Sequence, residues 1–222
     1  MSVATAPNLT GQRFRLSAVS WKLYEHLLTE LGDRRVRVTY DRGELELMAP
    51  SYRHENYASA LGRFVTVLCE EFEIAFKSGR TTTFRREDMD RGLEPDDCFY
   101  IRNVAKVLGK DEIDLTVDPP PDLAVEIDIA SSSLDRMGIY AVLRVPEVWR
   151  FDGDELVVYC LQPNGEFEEC EISPTFPMLP LPRVVEFLKQ SATMDDLTLV
   201  RKFRAWVRTQ LTAPRKRKHK SK

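Results

Sequence analysis

The chain has no apolar run approaching the ~18 residues that a membrane span needs. Its opening residues, Met1-Ser2-Val3-Ala4-Thr5-Ala6-Pro7, lack a basic segment followed by an apolar one. Both absences point to a cytoplasmic protein with no membrane partner. Cysteine is scarce: the four in 222 residues are Cys69, Cys98, Cys160 and Cys170, and none forms a CxxC pair. Without a secretory leader, reduced thiols are expected in preference to a disulfide or a zinc site. There is also no GxSxG, no HExxH, no phosphate-cradling glycine loop and no internal repeat, so acyl transfer has no signature here.

What remains is an ordinary globular composition, 43% hydrophobic and 30% charged, enough for one domain to bury a full core. We read residues 1–212 as that domain, with a core over about 16–178 and helices over about 183–211. Residues 213–222 are read as a disordered basic tail. The net charge of −3 hides the contrast, because Pro214 to Lys222 carries six Lys or Arg and no acid, leaving the body at about −9. Such a tail suits a phosphate backbone through counterion release, or simply a solvated terminus.

Apolar spacing predicts a helix over Ser17–Gly32, with Trp21, Tyr24, Leu27, Leu28 and Leu31 on one face. The period then changes to two on either side of Asp41-Arg42-Gly43, a hairpin signature that assigns Glu44 and Glu46 to a solvated face. A long helix is expected over about Arg53–Ile74, with His54 and Glu55 in its first turn. Short strands are expected at Thr81–Arg85 and Cys98–Ile101, and a short helix over Asn103–Leu108. After Ser131-Ser132-Ser133 a further short helix is expected, then strands over Val148–Phe151, Leu156–Leu161 and Glu166–Ile172. Helices over Val184–Gln190 and Met194–Leu211 close the chain. The fold class is therefore α/β: a mixed β-sheet core flanked by helices, with an N-terminal helix and hairpin and a C-terminal helical extension.

Two acidic strand ends stand out. Pro121-Asp122-Leu123-Ala124-Val125-Glu126-Ile127-Asp128-Ile129 is an apolar run bearing carboxylates near its end, and Glu94-Pro95-Asp96-Asp97 opens another. A carboxylate in an apolar run needs a cation or donors, or it is neutralised. Asp96 and Glu126 side by side would hold a hard divalent ion, helped by the backbone carbonyl of Ile127 and water. The nearest cation after the acidic strand is Arg136, placed to act on phosphate charge.

At these residues the chain resembles the Uma-two family of putative restriction endonucleases, a branch of the PD-(D/E)XK nuclease superfamily. The resemblance spans about Leu16 to Met178. It is carried by Gly43-Glu44-Leu45 to Pro50, His54, Pro95-Asp96, Asp122 to Ile127, Ile139-Tyr140-Ala141 and Val145-Pro146-Glu147-Val148-Trp149. It implies a restriction-endonuclease-like core, Asp96 and Glu126 as metal-binding carboxylates, and Mg²⁺ as the ion with Mn²⁺ as a substitute. The superfamily pattern has a lysine two residues after the glutamate, where this chain has Asp128. The family often carries that lysine four residues before the tyrosine instead, and there this chain has Arg136. Arginine clamps a phosphate but is a poor base.

The expected function is thus a metal-dependent endonuclease acting on DNA phosphodiesters. The candidate catalytic residues are Asp96, Glu126, Asp128, Arg136, His54 and Tyr140. The alternative is a catalytically impaired nucleic-acid-binding or partner-binding module on the same fold. Each residue also has a structural reading: Glu126 as a carboxylate partnered by Arg136 or Arg102, Asp97 and Asp128 as solvated strand ends, and His54 as a surface or a hydrogen-bonded residue. Tyr140 and Trp149 read as core. A homodimer would let two sites approach two strands.

Overall fold

The structure, a computed structural model, describes residues 11–32, 34–129, 132 and 134–212. Ser131 and Ser133, expected to open a helix, and the basic tail lie outside these residues.

The hairpin of β2 (Arg37–Asp41) and β3 (Glu44–Met48) forms where the alternation requires it, with Gly43 at φ 87° in the turn. It is the middle of a five-stranded antiparallel sheet completed by β1 (Arg13–Leu16), β5 (Phe84–Arg86) and β6 (Arg91–Leu93), in the order β1-β3-β2-β6-β5. Val38 and Tyr40 face α1 (Trp21–Leu31), where Tyr40 stacks on Tyr24 with ring centroids 4.8 Å apart. The helix starts later than expected, where Ser20 Oγ accepts from Leu23 N–H at 3.3 Å, and ends at Gly32, φ 49°. Alternation turns Arg37, Thr39 and Glu46 to the opposite face of this sheet.

The second sheet has six strands, β4 (Lys77–Ser78), β7 (Asp97–Tyr100), β8 (Leu123–Ile127), β9 (Glu147–Phe151), β10 (Leu156–Leu161) and β11 (Phe167–Cys170). Its order is β11-β10-β9-β8-β7-β4, and β8 and β9 are its parallel pair. A parallel pair needs a crossover, supplied here by α4 (Arg136–Val142). This six-stranded sheet is the expected mixed-sheet core, and the N-terminal hairpin, expected beside it, recruits its own short partners into a separate sheet.

Each face of the six-stranded sheet has a helical cover. Along α2 (Tyr52–Glu71), capped by Ser51, the buried Leu61, Phe64, Val65 and Leu68 pack over Val125 and Ile127. Side chains of this size contribute about 1.5–3 kcal/mol each when fully buried. The other face, through Ala124 and Val148, meets Ile139 and Tyr140 of α4 and the short α3 (Val104–Val107). α5 (Leu181–Gln190) and α6 (Asp196–Val207) extend the first layer; Phe203 stacks on Phe64 at 4.2 Å, and Arg204 and Arg208 reach Glu71 at 2.8 and 2.7 Å.

Two expectations are corrected locally. The cap of α4 is Asp135, whose Oδ1 accepts from Gly138 N–H at 2.9 Å, rather than the serine run. Cys160 and Cys170 are joined as a disulfide with Cα atoms 6.2 Å apart, where reduced thiols were expected. The β10–β11 register sets Cys170 opposite Val158, which makes the two cysteines diagonal neighbours on adjacent strands. Cys69 and Cys98 are free and buried.

Candidate active site

The antiparallel register of β7 on β8 pairs Asp97 with Val125 and Cys98 with Ala124. Continued by one residue, it sets Asp96 opposite Glu126, and the Asp96 N–H does bond the Val125 carbonyl at 3.1 Å. Cross-strand opposition brings Cβ atoms within about 4.5–5.5 Å. Both acids line one cavity of about 120 Å³ at the C-terminal end of β8, together with Ile127, Asp128 and Arg136. The two acidic strand ends, distant in sequence, thus line one cavity.

Asp96 is held from three sides. Its Oδ2 accepts the Ile127 N–H at 2.8 Å and lies 3.2 Å from His54 Nε2, while Arg37 Nε stands 3.7 Å from Oδ1. Burial works to raise its pKa, but the bond and charge of His54, with Arg136, hold the carboxyl below the usual aspartate range. Burial works to lower His54, but the Asp96 bond and charge keep its imidazole above the ordinary histidine value. This buried histidine is therefore a partner of a site carboxylate, not a surface residue. α2 delivers it, because the Ser51 cap fixes the helix start and so turns the first helical turn toward β7.

Glu126 is paired through both of its carboxylate oxygens. Arg136 grips it with both edges of its fork, Nη2 to Oε1 at 2.6 Å and Nε to Oε2 at 3.1 Å. Arg136 also donates from Nη2 to the Glu94 carbonyl at 2.8 Å and from Nη1 to Thr39 Oγ1. The Tyr140 hydroxyl donates to Glu126 Oε1. Burial holds Glu126 above the usual glutamate range against the pull of Arg136. Burial also drives the Tyr140 phenol well above its ordinary value. Arg136 comes from the first residue of α4, which the crossover must start just beyond the end of β8.

Asp128 lies in the cavity and is not a solvated strand end: its Oδ2 takes Arg150 Nε at 3.0 Å as well as Nη2, and its Oδ1 is 3.9 Å from Arg13 Nη2. Asp97 points the other way, to Ser78 Oγ, Arg80 Nη1 and the Gly62 surface of α2, and so belongs to the helix packing. Glu46 corrects the solvated-face reading, because it is 1% exposed and accepts from Arg13 Nη1 at 2.7 Å and Ser132 Oγ at 2.8 Å. The polar face of the five-stranded sheet covers the cavity, so alternation on that hairpin separates two interiors and not an inside from an outside. Sequence reasoning missed Arg13, Arg37 and Thr39 of this sheet for the same reason, and it also missed Arg150 on β9.

The pattern of the Uma2 family, described as putative restriction endonuclease, matches the chain over residues 21–210. The chain belongs to the Uma2 family. No curated protein matches it in sequence. A similar solved structure is that of a putative nuclease belonging to DUF820 from Anabaena variabilis. It is 17% identical, covers 68% of this chain and 90% of its own, and has a TM-score of 0.51, a likeness of fold. No helix among the described residues is long and apolar enough to cross a membrane.

In this Uma2 chain the donors left for a divalent ion are of the right kind. Asp96, Glu126 and the Ile127 carbonyl are hard oxygens, and the buried Asp128 Oδ1 accepts no hydrogen bond among the described residues. They are not gathered as a cage: among the described residues no three His, Cys, Asp or Glu group as a metal-holding set. Arg136 stands on both oxygens of Glu126, so an ion shares that carboxylate only as the guanidinium gives way on one side. The set fits an ion that arrives with its own water and anionic ligands.

Proposed function

We propose that this Uma2 protein is a metal-dependent endonuclease that hydrolyses DNA phosphodiester bonds, with Mg²⁺ as the ion and Mn²⁺ as a substitute. Asp96, Glu126 and the Ile127 carbonyl would hold the ion, and Asp128 is available as a further oxygen. When bound, the ion supplies charge neutralisation at the phosphate and a more acidic water.

The chain's own groups do the remaining work. His54 and the Ile127 N–H orient Asp96 and keep it ionised at neutral pH. Arg136 and the Tyr140 hydroxyl fix the rotamer of Glu126, and the charge of Arg136 lies at the wall of the cavity where phosphate charge would build. Arg136 always carries its proton, so it acts by charge and not as a base.

The observation that carries this reading is the opposition of Asp96 and Glu126 across β7 and β8 on the wall of one cavity. Purified protein incubated with supercoiled plasmid and Mg²⁺ or Mn²⁺ should nick it, and Glu126→Ala should lose at least two orders of magnitude of that activity. Equal nicking by both proteins rejects the assignment. The bidentate Arg136–Glu126 pair favours one second reading, a fold that binds nucleic acid without turnover. On that reading DNA binds, nothing is cut, and Arg136→Lys cuts no better.

A further inference from the structure

Arg136 is committed to Glu126, but three more guanidinium groups line the same cavity from three strands: Arg13 on β1, Arg37 on β2 and Arg150 on β9. Their contacts leave donors unused. Arg13 Nε and Arg37 Nε are both buried and, among the described residues, without a hydrogen-bond partner. Arg37 reaches Glu55 at 3.5 Å and Asp96 at 3.7 Å, at and beyond the limit of a hydrogen bond. Arg13 spends Nη1 on Glu46 at 2.7 Å, while its Nη2 is 3.9 Å from Asp128. Arg150 is 40% exposed at the rim and rests on Asp128.

A buried donor without an acceptor costs about 1–3 kcal/mol, and two of them in one cavity call for an acceptor-rich ligand. A divalent cation cannot satisfy them, because it accepts nothing. A tetrahedral phosphate can, since its oxygens match the guanidinium fork and its charge is opposite. The cavity of about 120 Å³ has room for such a group and not for a base pair.

We propose that Arg13 and Arg37, with Arg150 at the rim, form a receiving site for a phosphate group of the nucleic-acid strand, next to the one that Asp96 and Glu126 address. This rests on the nuclease reading for the identity of the ligand. The arginines are positioning residues: they set which phosphodiester lies over the acids and touch no reacting atom. The phosphate can be internal to a strand or a 5′-terminal one: the first offers two non-bridging oxygens and one negative charge, the second three oxygens and a higher charge, and both accept from a guanidinium fork.

The test is binding without turnover. Fluorescence anisotropy of the full chain in EDTA, with a labelled duplex with and without a 5′-phosphate and over a range of salt, is compared with Arg13→Gln, Arg37→Gln and Arg150→Gln. Each substitution should weaken binding about ten-fold and reduce the salt slope by about 1. Arg37→Lys should recover part of it. A 5′-phosphate advantage that is present in the wild type and lost in the variants assigns a terminal phosphate; equal losses on both duplexes assign an internal one. Inorganic phosphate at matched ionic strength should also raise the melting temperature of the wild type and not of Arg37→Gln. Should Arg13→Gln or Arg37→Gln fail to fold, the rim variant Arg150→Gln and the phosphate shift of the wild type decide. Variants that fold and bind with unchanged affinity and slope overturn the proposal, even where plasmid is cut. Arginine-dependent binding without cutting would instead remove the nuclease reading and leave the phosphate site standing.

Discussion

Replacing Arg136 by methionine removes four hydrogen bonds from the cavity: two to Glu126, one to the Glu94 carbonyl and one to Thr39. Glu126, 7% exposed, then keeps Tyr140 as its remaining side-chain donor. Removing one partner of a buried pair costs about 3–5 kcal/mol, a large part of the roughly 5–15 kcal/mol that holds a domain together. Arg136→Lys keeps the charge but loses the fork, and about 2 kcal/mol is expected from the bonds that three ammonium donors cannot replace. Urea unfolding of the three proteins measures this directly. In Arg136→Met the folded-state pKa of Glu126 rises further above its unfolded value. The protonated acid is then favoured in the fold below that ordinary value, and the advantage is lost as pH rises, so the gap to wild type should be wider at pH 8 than at pH 5. The double variant Arg136→Met with Glu126→Gln should recover stability relative to Arg136→Met alone. A loss under about 1 kcal/mol for Arg136→Met, or one that does not change with pH, would refute this account of the pair.

Gly62 lies within α2 against Asp97, and an added Cβ would fall 2.3 Å from Asp97 Oδ2. Gly62→Ala should therefore destabilise by about 1–3 kcal/mol of overpacking, despite the roughly 1 kcal/mol that alanine gains as a helix former; urea unfolding that shows a gain contradicts the contact. The bonds from Arg208 and Arg204 hold Glu71 below the usual glutamate range, so its contribution is present above that range and is lost as pH falls through the lowered value. Melting curves from pH 7 to 3 should show a shallower acid decline for Glu71→Gln than for wild type; superimposable declines would remove Glu71 from the docking of α6.

Much of this was legible in the sequence because local rules and tertiary packing agree. Gly32 marks a helix end that the structure keeps, and the acidic strand ends pointed to the meeting of Asp96 with Glu126. The hidden part was whatever two-residue alternation cannot express. β1 and β6 are four and three residues long, too short to show a period, so the five-stranded sheet was read as a lone hairpin. Once that sheet lies over the cavity, arginines that look solvated on paper become lining residues, as Arg13 and Arg37 do, and Glu46 is buried against Arg13. Asp135 was passed over as a cap because three serines precede it, and the Cys160–Cys170 disulfide because only the β10–β11 register brings the two together.

The central claim is that two acids far apart in sequence share one ion, and anomalous scattering from a crystal soaked in Mn²⁺ tests it most directly. The account predicts one peak in the cavity with Asp96, Glu126 and the Ile127 carbonyl among its ligands, and Arg136 released from one oxygen of Glu126. An empty cavity at saturating Mn²⁺, with the Arg136 fork still closed on Glu126, would contradict it.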